Sequence, residues 1–401
     1  MLQNTSQVNS QDHQLPVALI SWFQKNKRDL PWRKPATVKE NPLLPEKILR
    51  DPYCVLISEI MLQQTQAAVV VDYFNRFVKK WPTLSALAQA SEEEVVKFWE
   101  GLGYYSRARA LLKGARKIHN EFHGRFPVDL QTLKTIPGIG PYTAGAVLSL
   151  AFNQRVSALD ANAIRVLTRF FGIALPIEQQ ATKTQLDQLW MHWSREIDIA
   201  QANEALIELG ALICKGRQAP LCHQCPLKTD CKAYQEDKVA VIPVKKERAK
   251  IETLYRPTLI LRHRSGKEIN NSSTSFFVRH VHGSQVMQGL YEWPYWEWDE
   301  PLCAKTAQVF FEERLECALQ KIHPLVPLSH CFTRYKAHLY PFFCEVAGDH
   351  DITLVTRKLK LLFNEPGKSL RVLDSDRMKA IPFCSGHKML FKRVIHCQDG
   401  L

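Results

Sequence analysis

From Leu15 to about Tyr234, apolar residues return every three or four positions, the spacing of a helix with one buried face. The runs Tyr53 to Val78, Glu92 to Trp99, Arg107 to Phe122, Thr143 to Phe152, Ala163 to Phe171 and Glu204 to Ile213 each predict helix. Ser91-Glu92-Glu93-Glu94 has the form of a capping box, and Pro82, Pro127, Pro137 and Pro176 punctuate the joins. Beyond residue 250 the pattern changes to strand-like runs, Thr258 to Leu261, Ser275 to Val278 and Ala337 to Cys344, with helical segments at Thr306 to Lys321 and Leu354 to Phe363. The change predicts a mainly α domain over residues 15–239 and an α+β domain over residues 251–401. Residues 240–250, with Pro243 and the run Lys245-Lys246-Glu247-Arg248, read as a linker; residues 1–14 read as a disordered tail, and Pro35 to Pro52 as a surface loop.

Composition narrows the class. With 45% hydrophobic and 23% charged residues, the 401-residue chain is ordinary for a globular protein, which excludes a fibrous or disorder-dominated one. The longest nearly apolar stretch, Tyr142 to Phe152, is too short to span a membrane, and the polar start lacks a signal pattern. The expectation is a cytoplasmic monomer, nucleoid-associated if bacterial, with no membrane partner. Residues 251–401 hold 20 Lys and Arg against 16 Asp and Glu, so +4 of the net +13 lies there and +9 in residues 1–250. Basic charge of this size favours nucleic acid, although solubilising surface lysines give the same sum. Eleven cysteines in such a chain argue for thiols and metal ligands over disulfides.

Four features carry chemistry. Ile136-Pro137-Gly138-Ile139-Gly140-Pro141-Tyr142 reads as a glycine hairpin before a helix, in which Gly138 and Gly140 allow positive φ and let backbone N–H groups lie against a phosphate. Leu159-Asp160 follows that helix; locally, Asp160 is equally well read as the N-cap of the next one. Cys214, Cys222, Cys225 and Cys231 are four thiols within eighteen residues, close enough to hold a metal. Zinc is the default for paired Cys-x2-Cys units, but one long and two short loops suit an iron-sulfur cubane better, in a role that need be no more than clipping the loop. Glu59 stands among Ile57, Ile60, Met61 and Leu62, where desolvation would raise its pKa and keep it a proton donor near neutrality.

Hairpin, Asp160 and four-cysteine loop, in this order, resemble the helix-hairpin-helix DNA glycosylase superfamily with a [4Fe-4S] cluster. Leu30-Pro31-Trp32-Arg33, Ser58-Glu59-Ile60-Met61-Leu62-Gln63-Gln64-Thr65-Gln66, Gly101-Leu102-Gly103-Tyr104-Tyr105-Ser106-Arg107 and Asn203-Glu204-Ala205-Leu206-Ile207-Glu208 narrow the resemblance to the MutY family of adenine DNA glycosylases. The resemblance implies that Glu59 is the acid at adenine N7, that Asp160 stabilises, or transiently bonds to, C1′ of the sugar, that Tyr142 bonds the catalytic carboxylate, and that Asn162 belongs to the same catalytic group. It implies a base pocket of Arg33, Glu204, Trp32 and Leu62, and DNA wedges at Gln64 and Tyr104. A phenol at 142, where bifunctional relatives place a Schiff-base lysine, implies a monofunctional enzyme.

In the helical domain three features depart from that family: Ala161 stands in place of a glycine, seven residues separate the first two cluster cysteines instead of six, and the Pro35 to Pro52 insert is additional. For the second domain the resemblance implies a Nudix-like fold that reads 8-oxoguanine through Phe332, Thr333 and Arg334, with Arg334 where the family has histidine. No Nudix glutamate run follows Gly289-Leu290-Tyr291-Glu292-Trp293-Pro294, so nucleotide hydrolysis is not expected. The expected partner is duplex DNA with adenine opposite 8-oxoguanine or guanine. The alternatives are a bifunctional glycosylase/lyase of the endonuclease III type and a non-catalytic lesion-binding protein.

Overall fold

Caps written into the sequence set where the helices begin. In a computed structural model, which describes residues 14–35, 48–216, 218–246, 250–265, 273–283, 286–315, 320–346, 349–364 and 366–396, the chain runs through α1 (Gln14–Asn26), α2 (Pro52–Leu62), α3 (Ala67–Lys80), α4 (Leu84–Ala88), α5 (Glu92–Phe98), α6 (Ser106–Glu121), α7 (Leu130–Lys134), α8 (Pro141–Ala146), α9 (Ala161–Phe171), α10 (Gln180–Trp193), α11 (Ile199–Leu212) and α12 (Lys232–Gln235). Gln14 therefore opens a helix instead of closing the expected tail, whose other residues lie outside the described ones, as do residues 36–47 of the expected loop and Arg217. Asp51 caps α2 by accepting the Tyr53 N–H at 2.8 Å, with Pro52 at the first helical position, and Ser91 and Glu94 form the reciprocal capping box of α5. The single helical run expected from Tyr53 to Val78 is two helices, parted at residues 63–66 where Gln64 takes a φ of 62°.

Two compact units result: residues 1–90 with 110–247, and residues 91–109 with 248–401. In the first, Leu19 and Phe23 of α1 pack with Val166, Leu167 and Phe170 of α9, Leu186 and Trp190 of α10, and Leu206 and Leu209 of α11. Gly210 is required for this packing: a Cβ there would fall 2.6 Å from the Asn162 Cβ and 2.8 Å from its carbonyl, so α9 and α11 touch backbone to backbone. α2 is buried all round, Val55, Leu56, Ile57, Ile60 and Met61 included, as expected of a central helix with no polar face.

Besides α5 and the start of α6, the second unit contains β1 (Glu252–Ser265), β2 (Ser273–Val281), β3 (Tyr291–Glu292), α13 (Ala304–Leu315), β4 (Gln320–Pro324), β5 (Leu328–Phe332), β6 (Tyr335–Val346), α14 (Asp349–Phe363), β7 (Lys368–Asp374), α15 (Ser375–Ala380) and α16 (Ser385–His396). Gln320 and Lys321, expected at the end of a helix, instead begin β4. The sheet order is β3-β2-β1-β6-β4, with β5 on β6 and β7 on β2; β1 and β6 run parallel, Leu259 opposite Phe342. Alternation along the strands divides the core in two. Leu259, Leu261, Phe277, Phe342 and Cys344 face α13 and α14, whereas Ile260, Phe276, Val278, Leu339 and Phe343 pack with Met378, Leu390, Phe391 and Val394 of α15 and α16. Helices thus cover both faces, which is why these strands read as unbroken apolar runs.

Candidate active site

The central helix carries a charge where its pattern calls for a hydrocarbon. Glu59, 6% exposed on α2, lies in the wall of a cavity of about 460 Å³. Burial pushes its carboxyl up to about 7; the Tyr142 hydroxyl, which donates to Oε2, and the Arg50 cation pull it down, while Asp160 and Glu204 push it up. Tyr142 comes from the first turn of α8, fixed in angle by the 136–140 hairpin. Gly138 has φ 84° and a Cβ there would press on Ala110 at 3.2 Å; Gly140 has φ −87°, so its expected positive φ is not observed, and it serves as the N-cap of α8 with open space where a side chain would lie. The N–H groups of the first turn of α8 therefore lack a side-chain cap and suit an anion.

Asp160 does cap α9: its Oδ1 accepts the Ala163 N–H and its Oδ2 the Asn162 side-chain amide, both at 2.7 Å. The cap does not exhaust it. A carboxylate accepts about four hydrogen bonds, and Asp160 also lines the cavity, where burial raises its pKa against those two bonds. Asn162 is in turn oriented by Arg165, whose Nη2 meets the Asn162 oxygen at 2.9 Å and the Gly210 carbonyl at 2.7 Å while Nε donates to the Cys214 carbonyl at 2.6 Å.

Arg33, Glu204, Trp32 and Leu62 also line the cavity, Trp32 resting edge-on against Phe74 at 5.5 Å. Sequence reasoning missed a ladder of charges beside them. Arg28 and Arg33 clamp Glu208, and Arg33 and Arg50 clamp Glu204. Burial alone would raise the Glu208 carboxyl, yet the hydrogen bonds from Arg28 and Arg33 bring it down to about 2. Glu208 was findable, four residues after Glu204 on the same helix face. Arg50 was not, because its partner is 154 positions away.

Gln64 is not part of the cavity lining, although Thr65 and Gln66 are. With Tyr104 (φ 48°, 57% exposed) and Thr333 (φ 46°) it belongs to the six described non-glycine residues in the left-handed region, so three residues assigned to DNA hold strained backbone. Cys214, Cys222, Cys225 and Cys231 are all partly buried and act electrostatically on one another, and Arg169 Nη1 lies 3.2 Å from Cys214 Sγ. In the second unit Phe332 is stacked on His330 at 5.5 Å, and Arg334 points along the surface to the Tyr335 hydroxyl (3.0 Å) and Glu252 (3.3 Å). Glu292, Cys384 and His387 offer ligand atoms within 4.8 Å of one another. His387 Nδ1 accepts the Trp293 N–H at 2.8 Å, so Nε2 bears the hydrogen, and with Arg256 and Arg279 nearby the cluster suits no cation.

Residues 57–192 match the HhH-GPD superfamily of base excision DNA repair proteins. Those residues carry an HhH-GPD domain. Adenine DNA glycosylase of Rattus norvegicus is 46% identical over 221 residues, 54% of this chain and 41% of the rat protein, so the chain spans about two fifths of that relative's length. Adenine DNA glycosylase of Buchnera aphidicola (Schizaphis graminum) is 27% identical over 82% of this chain and 87% of its own. A solved thermostable thymine-DNA glycosylase aligns with 57% of this chain and 98% of its own at 28% identity and a TM-score of 0.49. No helix among the described residues is long and apolar enough to cross a membrane.

Proposed function

We propose that this chain is a monofunctional adenine DNA glycosylase that hydrolyses the N-glycosidic bond of adenine opposite 8-oxoguanine or guanine. The observation that carries the reading is a buried carboxyl with a pKa of about 7, tied to a phenol and facing a second carboxylate across a cavity of base-binding size. The relatives named adenine DNA glycosylase support the substrate.

In the proposed reaction the adenine is turned out of the duplex into the cavity. Glu59 gives its proton to N7, so the electron pair of the breaking C1′–N9 bond leaves on a neutral base. Asp160 faces the positive charge growing on C1′, and water adds there, losing its proton to the Glu59 carboxylate and leaving an abasic site in an unbroken strand. Tyr142 cannot form a Schiff base, which disfavours the lyase alternative. The Gly138–Gly140 hairpin and the N-terminus of α8 hold backbone phosphate; Gln64 and Tyr104 fill the space left by the base. In the second unit, Phe332, Thr333 and Arg334 meet the opposite base.

The cysteine loop fits an iron-sulfur cluster: all four donors are thiols, burial keeps Cys222, Cys225 and Cys231 above their ordinary pKa until a cation compensates, and Arg169 supplies an N–H to sulfur. A [4Fe-4S] cluster held there would clip the loop and take no part in the hydrolysis.

The test is single-turnover cleavage of duplexes with adenine opposite 8-oxoguanine or thymine, read with and without alkali. Breaks that need alkali and occur only at the mispair support the reading. Breaks without alkali favour the lyase, and no released base favours the lesion-binding protein.

A further inference from the structure

The two cavity-lining carboxylates of α11 are not equivalent. Glu208 is saturated: Arg28 meets Oε1 through its backbone N–H (3.0 Å) and Nε (2.8 Å), while Arg28 Nη2 (2.9 Å) and Arg33 Nη2 (3.0 Å) meet Oε2. Four donors fill its acceptor positions. Glu204 receives only three, Arg33 Nε and Arg50 Nη1 on Oε1 at 2.9 Å each and Arg50 Nη2 on Oε2 at 2.5 Å. Among the described residues one acceptor position is left, and it is on Oε2.

Arg50 decides which position that is. It supplies the one donor on Oε2, and its two-pronged contact fixes the plane of the carboxylate, a constraint that a point charge cannot impose. Its own backbone is held on both sides: the Leu49 N–H donates to the Ala151 carbonyl at 2.8 Å, and Asp51 is the N-cap of α2. This is a built position at the end of the Pro35 to Pro52 insert.

We infer that Arg50 is a positioning residue that sets selectivity for a 6-aminopurine, by leaving Glu204 one acceptor for the exocyclic amine. The inference rests on the adenine glycosylase reading and deepens it. A 6-keto purine presents oxygen to oxygen with no proton between them, and a purine with hydrogen at C6 leaves the acceptor unpaired.

The full chain and its Arg50→Met and Arg50→Lys variants are compared on duplexes with adenine or unsubstituted purine opposite 8-oxoguanine. Rate and half-saturating duplex concentration are read under single turnover. Arg50→Met is expected to lose about 30-fold on adenine and less than about threefold on purine, the discrimination that one hydrogen bond to a charged group provides. Arg50→Lys, with the charge but not the fork, should fall between, and serves alone if the Met variant does not fold.

A second readout is the pH profile. Tyr142, Asp160, Glu204 and Arg50 act on Glu59, and Arg50 lowers its pKa, so the alkaline limb should move upward in Arg50→Met and stay in Arg50→Lys. Equal losses on both bases with an unmoved limb overturn the inference and leave the glycosylase reading intact. Wild-type chain that releases no adenine overturns both.

Discussion

The cavity of the helical unit and the polar core of the second unit hold buried charge in different ways. Around the cavity each charged side chain is fixed by directed hydrogen bonds, from Tyr142 to Glu59, Asn162 to Asp160 and three arginines to two glutamates. In the second unit ring packing shares this work: Arg256 donates to Glu297 Oε1 through Nε (3.0 Å) and Nη2 (2.7 Å) but also lies 4.3 Å from the Tyr295 ring and 5.2 Å from Phe332, and Arg279 lies 4.1 Å from Tyr295 and 4.9 Å from Phe363. Arg279 and Glu292 are 2.7 Å apart without hydrogen-bond alignment, and both His330 nitrogens lack a hydrogen-bond partner among the described residues. Directed bonds fix orientation, which bond cleavage requires. Ring packing holds a cation in position without fixing a hydrogen-bond direction.

The difference predicts where substitutions act. Glu59→Gln should lower adenine release at least about 1,000-fold in single turnover, within the range of general acid catalysis; a loss under about tenfold would falsify the assignment. Glu292→Ala should act on stability instead, costing about 3 kcal/mol in a denaturant titration because it leaves Arg279 buried without its counter-ion. An unmoved midpoint would mean that ring packing alone suffices there. In the proposed reaction Glu59 acts protonated, and burial pushes its carboxyl up to about 7, so the rate should be flat below pH 6 and fall about tenfold per unit above pH 8. Tyr142→Phe removes the bond that lowers this pKa, so the alkaline limb should shift upward with a rate change of about threefold; a downward shift would refute the donor role of the phenol. Arg334→Ala, which removes an exposed pair with Glu252, should leave the denaturation midpoint unmoved, and a loss of duplex affinity would assign that arginine to DNA.

Much of this was legible before any coordinates. Glu59 was identifiable because a lone carboxylate in an apolar helix is costly unless it is used, and the four cysteines because short spacing forces proximity. The strand runs of the second unit were recognised for their unbroken apolar character, while the break at residues 63–66 was missed because Gln64 carries no turn signature.

By itself, then, the sequence determined what depends on neighbours along the chain: the caps, the helical and strand periods, the hairpin glycine at 138, and the residue types able to move a proton. Only the tertiary structure decided what depends on distant pairs. It made Asp160 both a cap and a wall of the cavity, set Gly210 against Asn162, and brought Arg50 to Glu204, leaving one acceptor free. Those outcomes follow from the packing of α2, α9 and α11, and a hydrogen bond between residues 154 positions apart has no period for a sequence to display.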